Sequence, residues 1–213
     1  METEQFLEKI SEALDRKRYE ILKIKRVLLS CRDIQLESTA VHMGIPVLYA
    51  HWEGFVKQSL TYYLEFLEEL SLNPQDASPQ ILSFALRKQL KTLSGNQGLD
   101  KLVNFVDQLH ETYSSPLVFS DREIDTKSNL NWKNFEYLCN RLSLDVSSLA
   151  DQGKKLSALV HLRNSIAHGG REPKYKYAFF EVQANFTIEL MERFEDRLGA
   201  CVTGGRYCRI NTH

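Results

Sequence analysis

The residues of this chain best suited to phosphate chemistry lie together in Leu162-Arg163-Asn164-Ser165-Ile166-Ala167-His168-Gly169. An arginine fork matches phosphate oxygens and holds the charge that develops on them. A histidine titrates near neutrality, so it can take up a proton or give one back. RNA cleavage by the RNA's own 2′-hydroxyl needs both. A proton leaves that hydroxyl, another reaches the departing oxygen, and positive charge steadies the crowded phosphate.

On a helix turning about 100° per residue, Leu156, Leu159, Val160, Ile166 and Ala167 share one apolar face, with Arg163 in its middle. A guanidinium keeps its charge there, and an unpaired charge in a core is costly. Arg163 must therefore pair with a carboxylate, such as Glu53, or face a cleft or a subunit interface. Asn164 and His168 are four apart and share a flank of that face. Arg163 and His168 are five apart, about 140° around an ideal helix. They converge if the helix unwinds at Gly169 or if two copies of it meet across a dimer axis.

Just beyond lie Arg171, Lys174 and Lys176, interleaved with Tyr175 and Tyr177. Such a cluster can track an RNA backbone and stack a base. The plainer alternative is a solvated helix start whose tyrosines pack inward. His161 is expected to face solvent. His51 and Glu53 flank Trp52 and could line a cleft, while Ala50 and Gly54, four apart, suit close helix packing. No HExxH and no paired Cys/His spacing supports a zinc site. No phosphate-binding or dinucleotide glycine loop appears, and no GxSxG turn. Neither a metal nor a cofactor is expected. His42, His110 and His213 have no partners in sequence.

These residues need elements to carry them. The chain has 213 residues, 43% hydrophobic and 26% charged, which suits one sizeable globular domain. Its formal net charge is −1, so any attraction for phosphate must be local. Cys31, Cys139, Cys201 and Cys208 are scattered, too sparse for a disulfide-stapled secreted domain. The N-terminus is amphipathic and acid-rich, unlike a signal peptide, and no run approaches the roughly 18 apolar residues of a membrane span. The cytoplasm is the expected compartment.

Five prolines and ten glycines leave room for long helices. Phe6, Ile10, Leu14, Ile21, Ile24 and Leu28 make one face of a helix reaching about Leu29. Pro46 suits the first turn of a second helix ending near Asn73-Pro74. Ser78-Pro79 opens a third through about Leu90, and residues 99–113 make a fourth. Ser114 to Asn131 is polar and predicts the longest loop. Asn131 caps a helix carrying Phe135, Leu138 and Leu142. A helix from about Ser148 to His168 stops at Gly169-Gly170, and Pro173 opens the last long one. No segment alternates as a strand does. The fold class is all-α, a bundle of about six to seven helices, with one domain over 1–198 and a short, frayed tail over 199–213.

Arg163-Asn164-x-x-x-His168, near a helix end and followed by Gly169, resembles the Rx4-6H motif of the HEPN superfamily. The block Leu48-Tyr49-Ala50-His51-Trp52-Glu53-Gly54-Phe55 looks like the early long helix of the RiboL-PSP-HEPN group. Asn129-Leu130-Asn131 followed by 135–144 is similar to that group's middle region. The resemblance spans roughly residues 5–198. It implies a HEPN-like helical bundle that forms a homodimer, bringing two Arg/His pairs into one cleft. By resemblance, Arg163 and His168 match the catalytic pair and Asn164 the supporting polar site. Many members are metal-independent endoribonucleases of toxin–antitoxin, abortive-infection or other antiviral systems, with RNA as substrate and an antitoxin or sensor protein as possible partner. Others are non-catalytic modules that bind a nucleotide, RNA or a protein. No long heptad seam supports the dimer independently.

Overall fold

The structure is a computed structural model and describes residues 1–31, 34–93, 98–119, 122–127, 129–169 and 173–209. Among these residues there are eight α-helices: α1 (Thr3–Leu29), α2 (Ile34–Glu69), α3 (Pro79–Ala85), α4 (Arg87–Thr92), α5 (Leu99–Tyr113), α6 (Trp132–Asn140), α7 (Gly153–Ala167) and α8 (Tyr177–Thr203). A 3₁₀ turn at Ser147–Gln152 leads into α7. The described residues hold no strand, only an isolated antiparallel bridge between Ala77 and Cys208.

The long helices α1, α2 and α8 pack pairwise on one another, α7 lies on α2, and α6 lies on α7. Phe6, Ile10, Leu14, Ile21 and Leu28 of α1 are all buried, as their spacing requires. Trp52, Phe135 and Phe194 join α2, α6 and α8 through ring contacts with centroids 5.1 to 6.2 Å apart. Edge-to-face contacts of this kind add to the area the rings remove from water. At Gly153 a Cβ would stand 2.8 Å from the Trp132 ring, so the start of α7 is pressed onto the start of α6.

Several boundaries differ from those the sequence predicts. Pro46 lies inside α2, which begins at Ile34, and not in a first turn. Its missing N–H leaves the His42 carbonyl without the usual i+4 donor. The buried residues Val41, Ile45, Leu48 and Tyr49 hold the helix on both sides of that gap. The segment from Pro79 breaks at Leu86 into α3 and α4, which brings the α-helices among the described residues to eight. The last helix starts at Tyr177, not at Pro173, because Glu37 of α2 accepts the Tyr177 N–H at 2.8 Å and caps it there. It runs past Leu198 to Thr203. Beyond it, Ser78 N–H donates to the Tyr207 carbonyl at 2.8 Å, and the Tyr207 ring meets Phe66 edge-on.

The long polar loop is tied down along α2. Leu117 N–H donates to the Leu72 carbonyl at 2.8 Å. Glu68 accepts the Phe119 N–H at 2.6 Å and also pairs with Arg122. Thr126 donates to Glu53, and Leu130 N–H donates to the Tyr49 hydroxyl at 2.7 Å. The loop therefore ends fixed beside α7.

Candidate functional site

Arg163, Asn164 and His168 sit on the last turns of α7. Arg163 is half-buried, and its guanidinium carbon stands 4.8 Å from the centre of the Tyr49 ring. Its Nη1 donates to Asn164 Oδ1 at 2.8 Å. Among the described residues no carboxylate forms an ion pair with it. Glu53, the carboxylate the sequence offered, is engaged elsewhere by Thr126, Lys57 and Tyr49. Burial alone would raise the Glu53 carboxyl, but hydrogen bonds from Thr126, Lys57 and Tyr49 hold it below its ordinary value. It is thus ionised and supplied with donors before Arg163 is reached.

Tyr49 is the platform beneath the cation. It is 1% exposed, and burial pushes its phenol up from the ordinary value. The hydroxyl stays protonated, so it can donate to Glu53 while accepting the Leu130 N–H. A cation over an aromatic face gains roughly 0.5 to 2 kcal/mol, depending on solvation, without losing its charge. On the other side, Asn164 Nδ2 reaches toward Asn129 Oδ1 at 3.5 Å, and Asn134 Nδ2 donates to the Asn129 carbonyl at 2.7 Å.

His168 caps α7. Its N–H donates to the Asn164 carbonyl at 3.0 Å, and Gly169 takes the left-handed φ of +72° that ends the helix. The imidazole is exposed, with no hydrogen-bond partner among the described residues. The structure thus brings Arg163 and Asn164 together and joins His168 to them through the backbone only. Among the described residues no hydrogen bond joins the His168 imidazole to Arg163.

With this geometry in place, a family model described as HEPN_MAE_28990-like HEPN matches residues 6–207. The chain belongs to this family. The description names a different group from RiboL-PSP-HEPN, within the superfamily that the Arg-x4-His spacing implied. No curated protein and no solved structure matches the chain.

In this HEPN domain the basic cluster after the motif is only partly described. Arg171 lies outside the described residues. Lys174 and Lys176 are exposed. Tyr175 stacks on Phe179 at 4.1 Å and meets His42 edge-on at 5.6 Å. One face of its ring is therefore covered, and it packs as the plainer alternative holds. His42, without a partner in sequence, has Nε2 3.1 Å from the Pro173 carbonyl and so pins the α7–α8 connection to α2. His161 is exposed. His51 faces α1, where burial and Lys17 lower its pKa. A Cβ on Gly54 would meet only the end of the Lys17 side chain, and Ala50 is exposed. The close approach of α2 to another helix occurs instead at Gly44. No three His, Cys, Asp or Glu side chains converge on one point among the described residues. No helix there is long and apolar enough to cross a membrane.

Tyr49, Asn129 and Asn134 are the site residues that spacing could not nominate. They lie far from Arg163 in sequence; Tyr49 and Asn129 fall within blocks singled out for their resemblance, and Asn134 does not.

Proposed function

We propose that this HEPN domain is a metal-independent endoribonuclease in which Arg163 holds the scissile phosphate and His168 moves the protons. The observation that carries this reading is the Arg163 guanidinium, oriented by a ring face and an amide while its charge remains uncancelled. A structural arginine in a core is normally matched by a carboxylate. One left to neutral partners retains its full attraction for an anion. Asn164 orients the fork, and His168, at an exposed helix end, can reach a substrate oxygen. The 2′-hydroxyl attacks the adjacent phosphorus, its proton passes to a base, and the 5′-oxygen leaves with a proton from an acid. The products are a 2′,3′-cyclic phosphate and a 5′-hydroxyl. Lys174, Lys176 and Arg171 would attract the flanking strand. The about 140° between Arg163 and His168 on one helix argues for a homodimer whose cleft combines the two copies. The family resemblance adds a role as an RNA-cleaving toxin or antiviral-defence effector, held in check by an antitoxin or sensor protein.

The test is cleavage of a mixed RNA pool in EDTA by wild type, Arg163→Ala and His168→Ala. Wild type should cut and leave cyclic phosphate ends. His168→Ala should be slower by about 10² to 10⁴, the usual weight of a general acid–base group. Arg163→Ala should lose about 10² to 10³, as when a charge-stabilising donor is removed. Unchanged cutting by both variants would sink the mechanism. The lack of contact between Arg163 and His168 favours a second reading, a non-catalytic module that binds nucleotide, RNA or protein through Arg163. On that reading the wild type binds RNA, Arg163→Ala weakens binding, and nothing is cut.

A further inference from the structure

The hydrogen-bonded surface that starts at Arg163 continues outward. Asn164 leads to Asn129, and Asn129 to Asn134 on α6. Three residues on, about 4.5 Å further along that helix, stands Tyr137, 54% exposed. Lys127 Nζ lies over its ring, 5.5 Å from the centre, and the Arg141 guanidinium lies over it at 5.8 Å. Arg141 is also 5.3 Å from the buried Phe84 ring. Neither cation makes an ion pair among the described residues, and Asp125 accepts the backbone N–H of Lys127 at 2.7 Å. An open cleft of about 450 Å³, lined by Pro79, Gln80, Ser83, Tyr137, Asn140 and Arg141, adjoins the ring.

We infer that Tyr137, flanked by Lys127 and Arg141, is a base-stacking subsite for single-stranded RNA that extends across Asn129 from the phosphate held by Arg163. The direction of the strand rests on the nuclease reading above; the subsite itself rests on the cluster. A base stacks on this exposed ring as the two long cationic side chains over it move out to the neighbouring phosphates. A duplex cannot use such a ring, because its bases are already stacked on one another. The chain's net charge of −1 gives no general attraction for nucleic acid, so binding depends on local clusters like this one.

The test is an anisotropy titration of the full chain with a 5′-labelled, mixed-sequence 2′-O-methyl oligonucleotide. That probe lacks the attacking hydroxyl, so binding is measured whether or not the protein is a nuclease. Tyr137→Ala should weaken binding about 5- to 150-fold, the size of one lost base–aromatic stack. Tyr137→Phe should stay within about twofold, since it keeps the π-face. Lys127→Gln and Arg141→Gln should each flatten the plot of log affinity against log salt by about 0.7. Wild-type affinity in Tyr137→Ala, a loss in Tyr137→Phe as large as in Tyr137→Ala, or equal affinity for a duplex would each overturn the subsite. So would failure of the wild type to bind any single strand, which would leave the ring as a contact for a protein. Cleavage of unmodified RNA is scored separately. Tyr137-dependent binding without cutting keeps the subsite and retires the nuclease; cutting with Tyr137-independent binding does the reverse.

Discussion

Arg163 leans on Tyr49 and Asn164, and neither partner cancels its charge. Glu53 is what makes this possible, because it takes its hydrogen bonds from Thr126, Lys57 and Tyr49 instead. Those bonds overcome the effect of burial and hold the Glu53 carboxyl below its ordinary value. A depressed carboxyl stabilises the fold above its unfolded pKa and ceases to do so as pH falls through the folded one. Glu53→Gln should therefore cost about 1.5 to 3 kcal/mol at neutral pH, the weight of charge-assisted hydrogen bonds. That deficit should shrink below about pH 4.5 as the wild-type carboxyl also protonates. Urea melts of both proteins from pH 7 to 3 check this, and a deficit that does not change with pH would refute the assignment. The sequence narrowed Arg163 to a carboxylate, a cleft or an interface, since helical phase alone puts it on an apolar face. It could not choose, because the choice depends on Thr126 and Leu130, which reach α2 from a loop more than seventy residues away.

Elements with strong local signals fell where those signals put them. Ser78 and Asn131 cap α3 and α6 with side-chain oxygens that accept the Ile81 and Asn134 N–H groups, and α1 and α5 follow their apolar spacing. The elements that moved are governed by distant contacts. Pro46 reads locally as a helix start, yet packing on both of its sides carries α2 through it. Pro173 reads the same way, yet Glu37 sets the start of α8 at Tyr177. Gly44 shows how tight that packing is, since a Cβ there would stand 2.6 Å from Phe180 Cε2. Phe180 is itself fully buried, so it cannot simply turn away. Gly44→Ala would gain about 1 kcal/mol of helix propensity but would overpack the α2–α8 crossing at a cost of about 1 to 3 kcal/mol. A net loss of up to about 2 kcal/mol is expected in a thermal or urea melt; a net gain would mean that the two helices stand further apart than described.

At the scale of the whole molecule, the proposed mechanism requires one histidine and one arginine, about 140° apart on a single helix, to serve one phosphate. The helix is intact through Ala167 and turns out only at Gly169, so unwinding does not close the gap. The proposed dimer would close it, since a two-fold axis would set Arg163 of one chain toward His168 of the other and repeat the pair. This makes a prediction that no single-chain site shares. Arg163→Ala and His168→Ala, each inactive alone, should restore cleavage when their subunits are mixed and allowed to exchange. In an equimolar mixture half the pairs are mixed, and each mixed pair rebuilds one of its two couples, so about a quarter of the wild-type rate should return. If each couple lay within one chain, every mixed pair would lack a complete couple and no activity would return. Recovery would thus identify the dimer cleft as the catalytic unit. Failure to recover, with a dimer seen by sedimentation, would require Arg163 to swing out from Tyr49 to meet His168 in its own chain.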